Sequence, residues 1–328
     1  MMEAELGRCV ASWCPGATGV TNAARLSGGA SQETWSFDIV HPEGNIGAIL
    51  RRAPPGYGAA PSRAAGLDAE AILMQLAFDA GVPSPRVLHV LQPRDELGTG
   101  FIMQRVEGET IPRKILRDAQ FAEARPKLAR QVGGILARIH ALDTAQLPEL
   151  RRMTAAKEID ELERDYHGFG WPRPVFELVL RWLRERDPGP SREMTLVHGD
   201  FRHGNLMIGP DGVGAVLDWE LAHLGDPMED LGWVCVNSWR FGEIDKPVGG
   251  FGTREELFAG YQAAGRRADP ARVKFWEVMG TLRWGVMCCG MMQRFRIGPE
   301  HSIERAMIGR RSSETEIDLL RLLAPRGK

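Results

Sequence analysis

Residues 198–205 read His198-Gly199-Asp200-Phe201-Arg202-His203-Gly204-Asn205, and Leu217-Asp218-Trp219-Glu220 follows at the end of an apolar run. Asp200 and Asn205 stand five positions apart, and Asp218 comes directly after Ala215-Val216-Leu217. Phosphoryl transfer to a hydroxyl asks for a carboxylate that orients or takes the hydroxyl proton. It also asks for hard oxygen ligands that hold Mg2+ against the phosphates. Asp200 is the residue type for the first task, and Asn205 and Asp218 are the types for the second. Gly199 and Gly204 let the backbone bend around such a pocket. The order Asp, Asn, Asp is that of the protein-kinase catalytic loop and its metal-binding carboxylate. Arg202 stands where such enzymes carry a cation facing the γ-phosphate. A zinc hydrolase on His198, Asp200 and His203 is disfavoured, because these residues crowd one turn with no distant further ligand.

Working outward, short strands are expected at 195–197 and 213–217 on either side of this loop. Before it, helical periodicity covers 125–142, 159–166 and 174–186, and after it 254–264, 270–295 and 301–323. The first third reads differently. Strands are expected at 34–40, 46–51, 87–91 and 101–106, with one helix at 64–80 stopped by Gly81 and Pro83. Strands first and helices later give an α+β fold of two lobes. We place an antiparallel sheet with one helix in residues 1–105 and a larger, mainly helical lobe in residues 106–328.

Composition narrows the function. The chain has 328 residues, 43% apolar and 26% charged, which suits two folded lobes rather than disorder. A net charge of -2 argues against a nucleic-acid binder. No apolar stretch is long enough for a membrane span, and the amino terminus carries Glu3 and Glu5 where a secretory signal would be apolar. The five cysteines show no zinc or disulfide spacing. Reduced packing thiols in a cytoplasmic protein are therefore expected.

The stretch His198 to Asn205, then Leu217-Asp218-Trp219-Glu220, then Gly225-Asp226-Pro227-Met228-Glu229-Asp230-Leu231 resembles the aminoglycoside phosphotransferase and choline kinase family. The resemblance runs over roughly 26–320 and is strongest from 198 to 232. It implies a protein-kinase-like fold, ATP and Mg2+, with Asp200 as base and Asn205 and Asp218 as metal ligands. It leaves the acceptor open. By the same resemblance Gly28, Gly29 and Ser31 would lie in the turn covering the phosphates. Arg51 would reach the phosphates from the second strand, with Arg52 as the alternative. Alternation puts Arg51 opposite Leu50, and Glu70 on the following helix would pair with it. Gln104 and Val106, in the crossing between lobes, would meet the adenine through their backbone. Asp226, before Pro227, reads as a helix start, Asp230 as a brace for the catalytic loop, and His140 as a hydrogen-bonded core histidine.

The small-molecule acceptor is expected between the catalytic loop and the helices after Trp233, with Trp239, Arg240 and Arg283 as contacts. From 240 to 328 the chain carries 16 Lys and Arg against 11 Asp and Glu, which suits a neutral or anionic acceptor better than a polycationic antibiotic. Leu50-Arg51-Arg52-Ala53-Pro54-Pro55-Gly56 and His198 to Met207 are most similar to the branch of kinase domains associated with acyl-CoA dehydrogenases. That likeness implies a hydroxyacyl-CoA among candidate acceptors. The competing readings are an aminoglycoside kinase, a non-catalytic nucleotide-binding regulator of the same fold, and a kinase of protein side chains. The last is disfavoured by the short segment 225–231. Oligomeric state is not legible.

Overall fold

A computed structural model describes residues 2–26, 32–53, 63–298 and 302–324. The expected turn at Gly28, Gly29 and Ser31, and the Pro54-Pro55-Gly56 break, lie outside the described residues.

The chain opens with helix α1 (Met2–Trp13), unforeseen in the sequence although Leu6, Cys9 and Val10 form a buried stripe at helical spacing. Strands β1 (Gly19–Leu26), β2 (Glu33–Val40) and β3 (Ile46–Ala53) follow, then helix α2 (Leu67–Asp79), β4 (Val87–Val90) and β5 (Thr99–Gln104). The five strands form one antiparallel sheet in the order β1-β2-β3-β5-β4. β1 also escaped the sequence reading, because it is an edge strand with no buried residue and no apolar alternation.

The two sheet faces are covered by different helices. Leu6, Val10, Phe37, Ile39, Ala48, Leu50 and Ile102 pack together under α1. On the other face, Leu73, Met74, Ala77 and Phe101 join the main core of the larger lobe. The hydrophobic core therefore does not part at the junction of the lobes.

The larger lobe is built from α3 (Pro112–Arg117), α4 (Arg125–His140), α5 (Ala155–Gly168) and α6 (Pro174–Glu185), then the short strands β6 (Thr195–Val197), β7 (Leu206–Gly209), β8 (Gly212–Val216) and β9 (His223–Gly225). Helices α7 (Met228–Trp233), α8 (Arg254–Ala263), α9 (Pro270–Ile297), α10 (Ile303–Gly309) and α11 (Ser312–Leu323) complete it. Side-chain caps set several helix starts: Thr253 and Glu256 form a reciprocal capping box on α8, and Asp269 caps α9 with Pro270 as its first residue. The single helix expected at 301–323 is in fact α10 and α11. The chain turns at Arg310 and Arg311, just after Gly309 packs closely on Met292 of α9. Both pieces then lie along α9.

Candidate active site

The loop 198–205 leaves β6 and is held from three sides. Asp230 of α7 accepts the backbone N–H groups of His198 at 2.8 Å and Gly199 at 3.0 Å. It is fully buried, and although burial opposes its charge, these donors and His140 hold its carboxyl below the usual range. Arg283 of α9 donates to the Gly199 carbonyl at 2.7 Å and to Glu229 at 2.8 Å. The His198 ring takes the Asp200 N–H on Nδ1 and gives Nε2–H to the Leu217 carbonyl at 3.1 Å. Burial depresses this histidine, so it stays neutral with that tautomer. Gly199 has φ +80°, and a Cβ there would sit 2.5 Å from the Leu221 carbonyl oxygen, so only glycine fits.

The Asp200 carboxylate is fixed by three donors. Arg202 Nε and Trp233 Nε1 each lie 3.0 Å from Oδ1, and Asn205 Nδ2 lies 2.7 Å from Oδ2. Arg202 in turn donates to the His203 carbonyl and stacks over Trp239 with its guanidinium carbon 4.8 Å from the ring centre. The Asn205 amide, turned towards Asp200 through its nitrogen, keeps Oδ1 free of partners among the described residues. Asn205 also accepts the Leu217 N–H on its carbonyl at 2.8 Å, which ties the loop to the residue before Asp218. Asp218 adopts φ 64°, an uncommon conformation for a side-chain-bearing residue and one found at sites where geometry is imposed by the surroundings.

Arg51 crosses from β3 to this loop. Its Nη2 lies 2.8 Å from Asp218 and 3.3 Å from Glu220, and its Nε lies 3.3 Å from Glu70 on α2. Arg52 points to the opposite face of the strand, where it is buried against Glu33 and the Leu97 carbonyl. Of the two arginines, only Arg51 faces the cleft. Burial drives the Glu70 carboxyl up to about 7, and Asp218 and Glu220 add to that, while Arg51 opposes it. Burial also raises Glu220, with Asp218 adding to it. Four carboxylates, Asp200, Asp218, Glu220 and Glu70, thus share two guanidiniums, Arg51 and Arg202. With Asn205 Oδ1 and the second Asp218 oxygen unpartnered among the described residues, this acid-rich oxygen set fits a hard divalent cation such as Mg2+. At the crossing, Gln104 pairs with Ala48 in the sheet, whereas the backbone of Val106 has no protein partner among the described residues.

The structure corrects the acceptor contacts. Arg240 is buried with its guanidinium on Glu277 and the Cys235 carbonyl. Arg283 braces the loop from behind and lies 4.0 Å from the Trp233 ring centre. Both are committed inside the fold, so neither is available as an acceptor ligand. The same holds for much of the cationic excess after residue 240, since Arg254 pairs with Glu277 and Arg272 with Asp226. That excess therefore says little about the acceptor. Trp239 is buried in a cluster with Trp233 and Trp284, and only its contact with Arg202 links it to the loop. Trp233 and Arg283 went unread as loop supports because their partners lie 33 and 84 positions away in sequence. Asp226 behaves as a helix-start residue, accepting the Met228 N–H at 3.0 Å.

Residues 22–276 match the model of the phosphotransferase enzyme family, APH. Acyl-CoA dehydrogenase family member 10 of Mus musculus is 30% identical over 235 residues, which are 67% of this chain and 20% of that protein. Across the first curated relatives the chain spans 20% to 37% of their length. Among solved structures, a candidate aminoglycoside phosphotransferase from Ralstonia eutropha superposes with a TM-score of 0.74 at 20% identity, over 97% of each chain. A thermostable mutant of aminoglycoside phosphotransferase APH(4)-Ia, solved with AMP-PNP and hygromycin B, gives 0.64 at 18% identity over 98% of this chain and 99% of that one. At such identities the likeness speaks for the two-lobed kinase-like fold.

Proposed function

This chain belongs to the phosphotransferase enzyme family, and on that premise we propose that it moves the γ-phosphoryl group of ATP to a hydroxyl of a small molecule. One observation carries the reading. Asp200 is held by Asn205, Arg202 and Trp233 on a braced loop, and Arg51 reaches across from the other lobe to Asp218 beside it.

In this reading Asp200 Oδ2 accepts the hydrogen bond of the acceptor hydroxyl and takes its proton as the phosphoryl group leaves ATP. Arg202, anchored through Nε to Asp200 and through Nη1 to the His203 carbonyl, keeps Nη2 for the transferred group. Glu70 holds Arg51 through Nε, and Asp218 and Glu220 hold Nη2, so that Nη1, without a partner among the described residues, is presented to the phosphates. Asn205 and Asp218 would hold Mg2+, which supplies charge neutralisation on the phosphates. Gln104 and Val106 would receive the adenine along the backbone of the crossing.

For the acceptor we favour a hydroxyacyl-CoA. Support comes from the relatives, which carry the name of acyl-CoA dehydrogenases, and from the motif likeness to that branch. The test is an ATP-consumption panel on the purified protein with hydroxyacyl-CoA esters, kanamycin, choline, sugars and homoserine. Turnover with a hydroxyacyl-CoA is expected, and turnover with kanamycin alone would overturn the acceptor. Asp200→Asn should lower kcat by about 10²–10⁴-fold, the usual range for a general base. Nucleotide binding should survive. Undiminished turnover would remove Asp200 from the role of base.

A further inference from the structure

The larger lobe has a second concavity, away from the catalytic loop. It is a cavity of about 930 Å3, walled among others by Arg192, Glu193, Tyr261, Arg266, Arg267 and Arg272. Acids also line it, but each is committed. Asp226 accepts from Arg272, from the Trp276 indole and from the Met228 N–H. Asp269 caps α9 through the N–H groups of Ala271 and Arg272. Glu193 reaches Arg266 at 2.6 Å. Arg192 and Arg267, by contrast, are exposed and have no partner among the described residues. The uncommitted charge of the cavity is positive, and it sits on planar, bidentate donors.

A hydrogen-bonded chain leads from this wall to the catalytic loop. Arg266 has only donors, so its Nε–H gives to the Tyr261 hydroxyl oxygen at 3.3 Å. The charged Asp230 only accepts, so His140 gives it Nε2–H at 3.1 Å. On its other side the His140 ring hydrogen-bonds through Nδ1 to the Tyr261 hydroxyl at 3.0 Å. Asp230 in turn takes the N–H groups of His198 and Gly199. His140, Tyr261 and Asp230 are all buried. In a dry interior such bonds polarise one another, so a change at Arg266 is felt along the chain.

We propose that this cavity binds a small polyanion, bearing phosphate or carboxylate groups, and that its occupancy acts on the catalytic loop through Tyr261, His140 and Asp230. Arg192 and Arg267 provide the first charge contacts. The anion then competes with Glu193 for Arg266. The Glu193 side chain is 63% exposed, so it passes into water at little cost. Tyr261 and His140 are positioning residues in this scheme, because they reach the reacting groups only through Asp230.

The experiment is calorimetric titration of the full chain with inorganic pyrophosphate, in the wild type, in Arg192→Ala/Arg267→Ala and in Arg51→Ala. Both cavity arginines are on the surface, so the double variant keeps its fold. Binding is expected in the wild type, weakened ten-fold or more in the double variant, and retained in Arg51→Ala. No binding to the wild type overturns the proposal, as does binding lost in Arg51→Ala and retained in the double variant. The coupling is read separately, by amide hydrogen exchange over 196–203 with and without pyrophosphate. The probe is expected to change protection there in the wild type but not in Tyr261→Phe or the double variant. An equal response in Tyr261→Phe removes the relay from the proposal.

Discussion

His203 lies inside the motif but not in the cleft. It is buried between Phe241 and Phe251, and it gives its Nε2–H to the Gly249 carbonyl. Burial drives its pKa from 6.5 down to about 4, and its Nδ1 has no partner among the described residues. The unfolded chain therefore binds a proton between those two values that the folded chain refuses. Stability from this residue is complete above pH 6.5 and is lost as pH falls towards 4. The loss should reach about 3 kcal/mol at the lower end. His203→Gln removes the titration, so its stability should fall less steeply over this window, even if it is less stable at neutral pH. Urea denaturation of both proteins at several pH values measures the difference, and parallel curves would show that His203 is not the titrating group. The motif thus joins residues with different tasks: Asp200 and Asn205 face the cleft, whereas His198 and His203 hold the loop's shape. Their shared polarity made all four look alike in sequence.

At the scale of elements, α4 and α8 cross with their backbones almost touching. A Cβ at Gly133 would lie 2.0 Å from the Leu257 carbonyl oxygen, and one at Gly260 would lie 2.0 Å from that of Arg130. Such an approach brings His140 at the end of α4 to the hydroxyl of Tyr261 on α8. Gly133→Ala should force the helices apart and cost about 1–3 kcal/mol or more, as overpacking does. At the next position, a Cβ on Gly134 would meet its nearest atom at 3.7 Å. Gly134→Ala should therefore be neutral or stabilise by about 0.5–1 kcal/mol through helix propensity. Urea midpoints for the two variants decide this, and equal midpoints would contradict the crossing. The apolar stripe of α4 was readable from 125 to 142, and Gly133 and Gly134 stood in plain view within it. Which glycine faced α8 was not readable, because that depends on how two helices 120 residues apart cross. Trp233 and Arg283 were hidden for the same reason. By contrast, alternation put Arg51 on the face opposite Leu50, although it left Arg52 open as the alternative until the sheet showed which of the two faces the cleft. The split of 301–323 was signalled by Gly309, but the reason for the turn is α9, which periodicity does not show.

Across the whole molecule, the two lobes meet through covalent neighbours and through packing that surrounds the candidate site. Leu73, Met74 and Ala77 of α2 share one core with Leu206, Val216 and Trp219 of the larger lobe. Backbone bonds add to this: the Ala65 N–H gives to the Glu220 carbonyl at 2.7 Å, and the Val216 N–H gives to the Pro83 carbonyl at 2.7 Å. Arg51 with Asp218, and Glu70 behind it, complete the junction. A shared core couples the stability of its parts, so neither lobe can unfold without exposing apolar surface of the other. Calorimetric unfolding should accordingly show one transition, with calorimetric and van't Hoff enthalpies in agreement. Met74→Ala makes the point sharper. Met74 is buried on the face of α2 turned to the larger lobe. Its truncation should cost about 2–5 kcal/mol and lower the whole transition, with no early melting of the sheet alone. Two resolved transitions, with only the first moved by Met74→Ala, would show lobes that fold independently and would make the closeness of Arg51 to Asp218 a matter of docking rather than of folding.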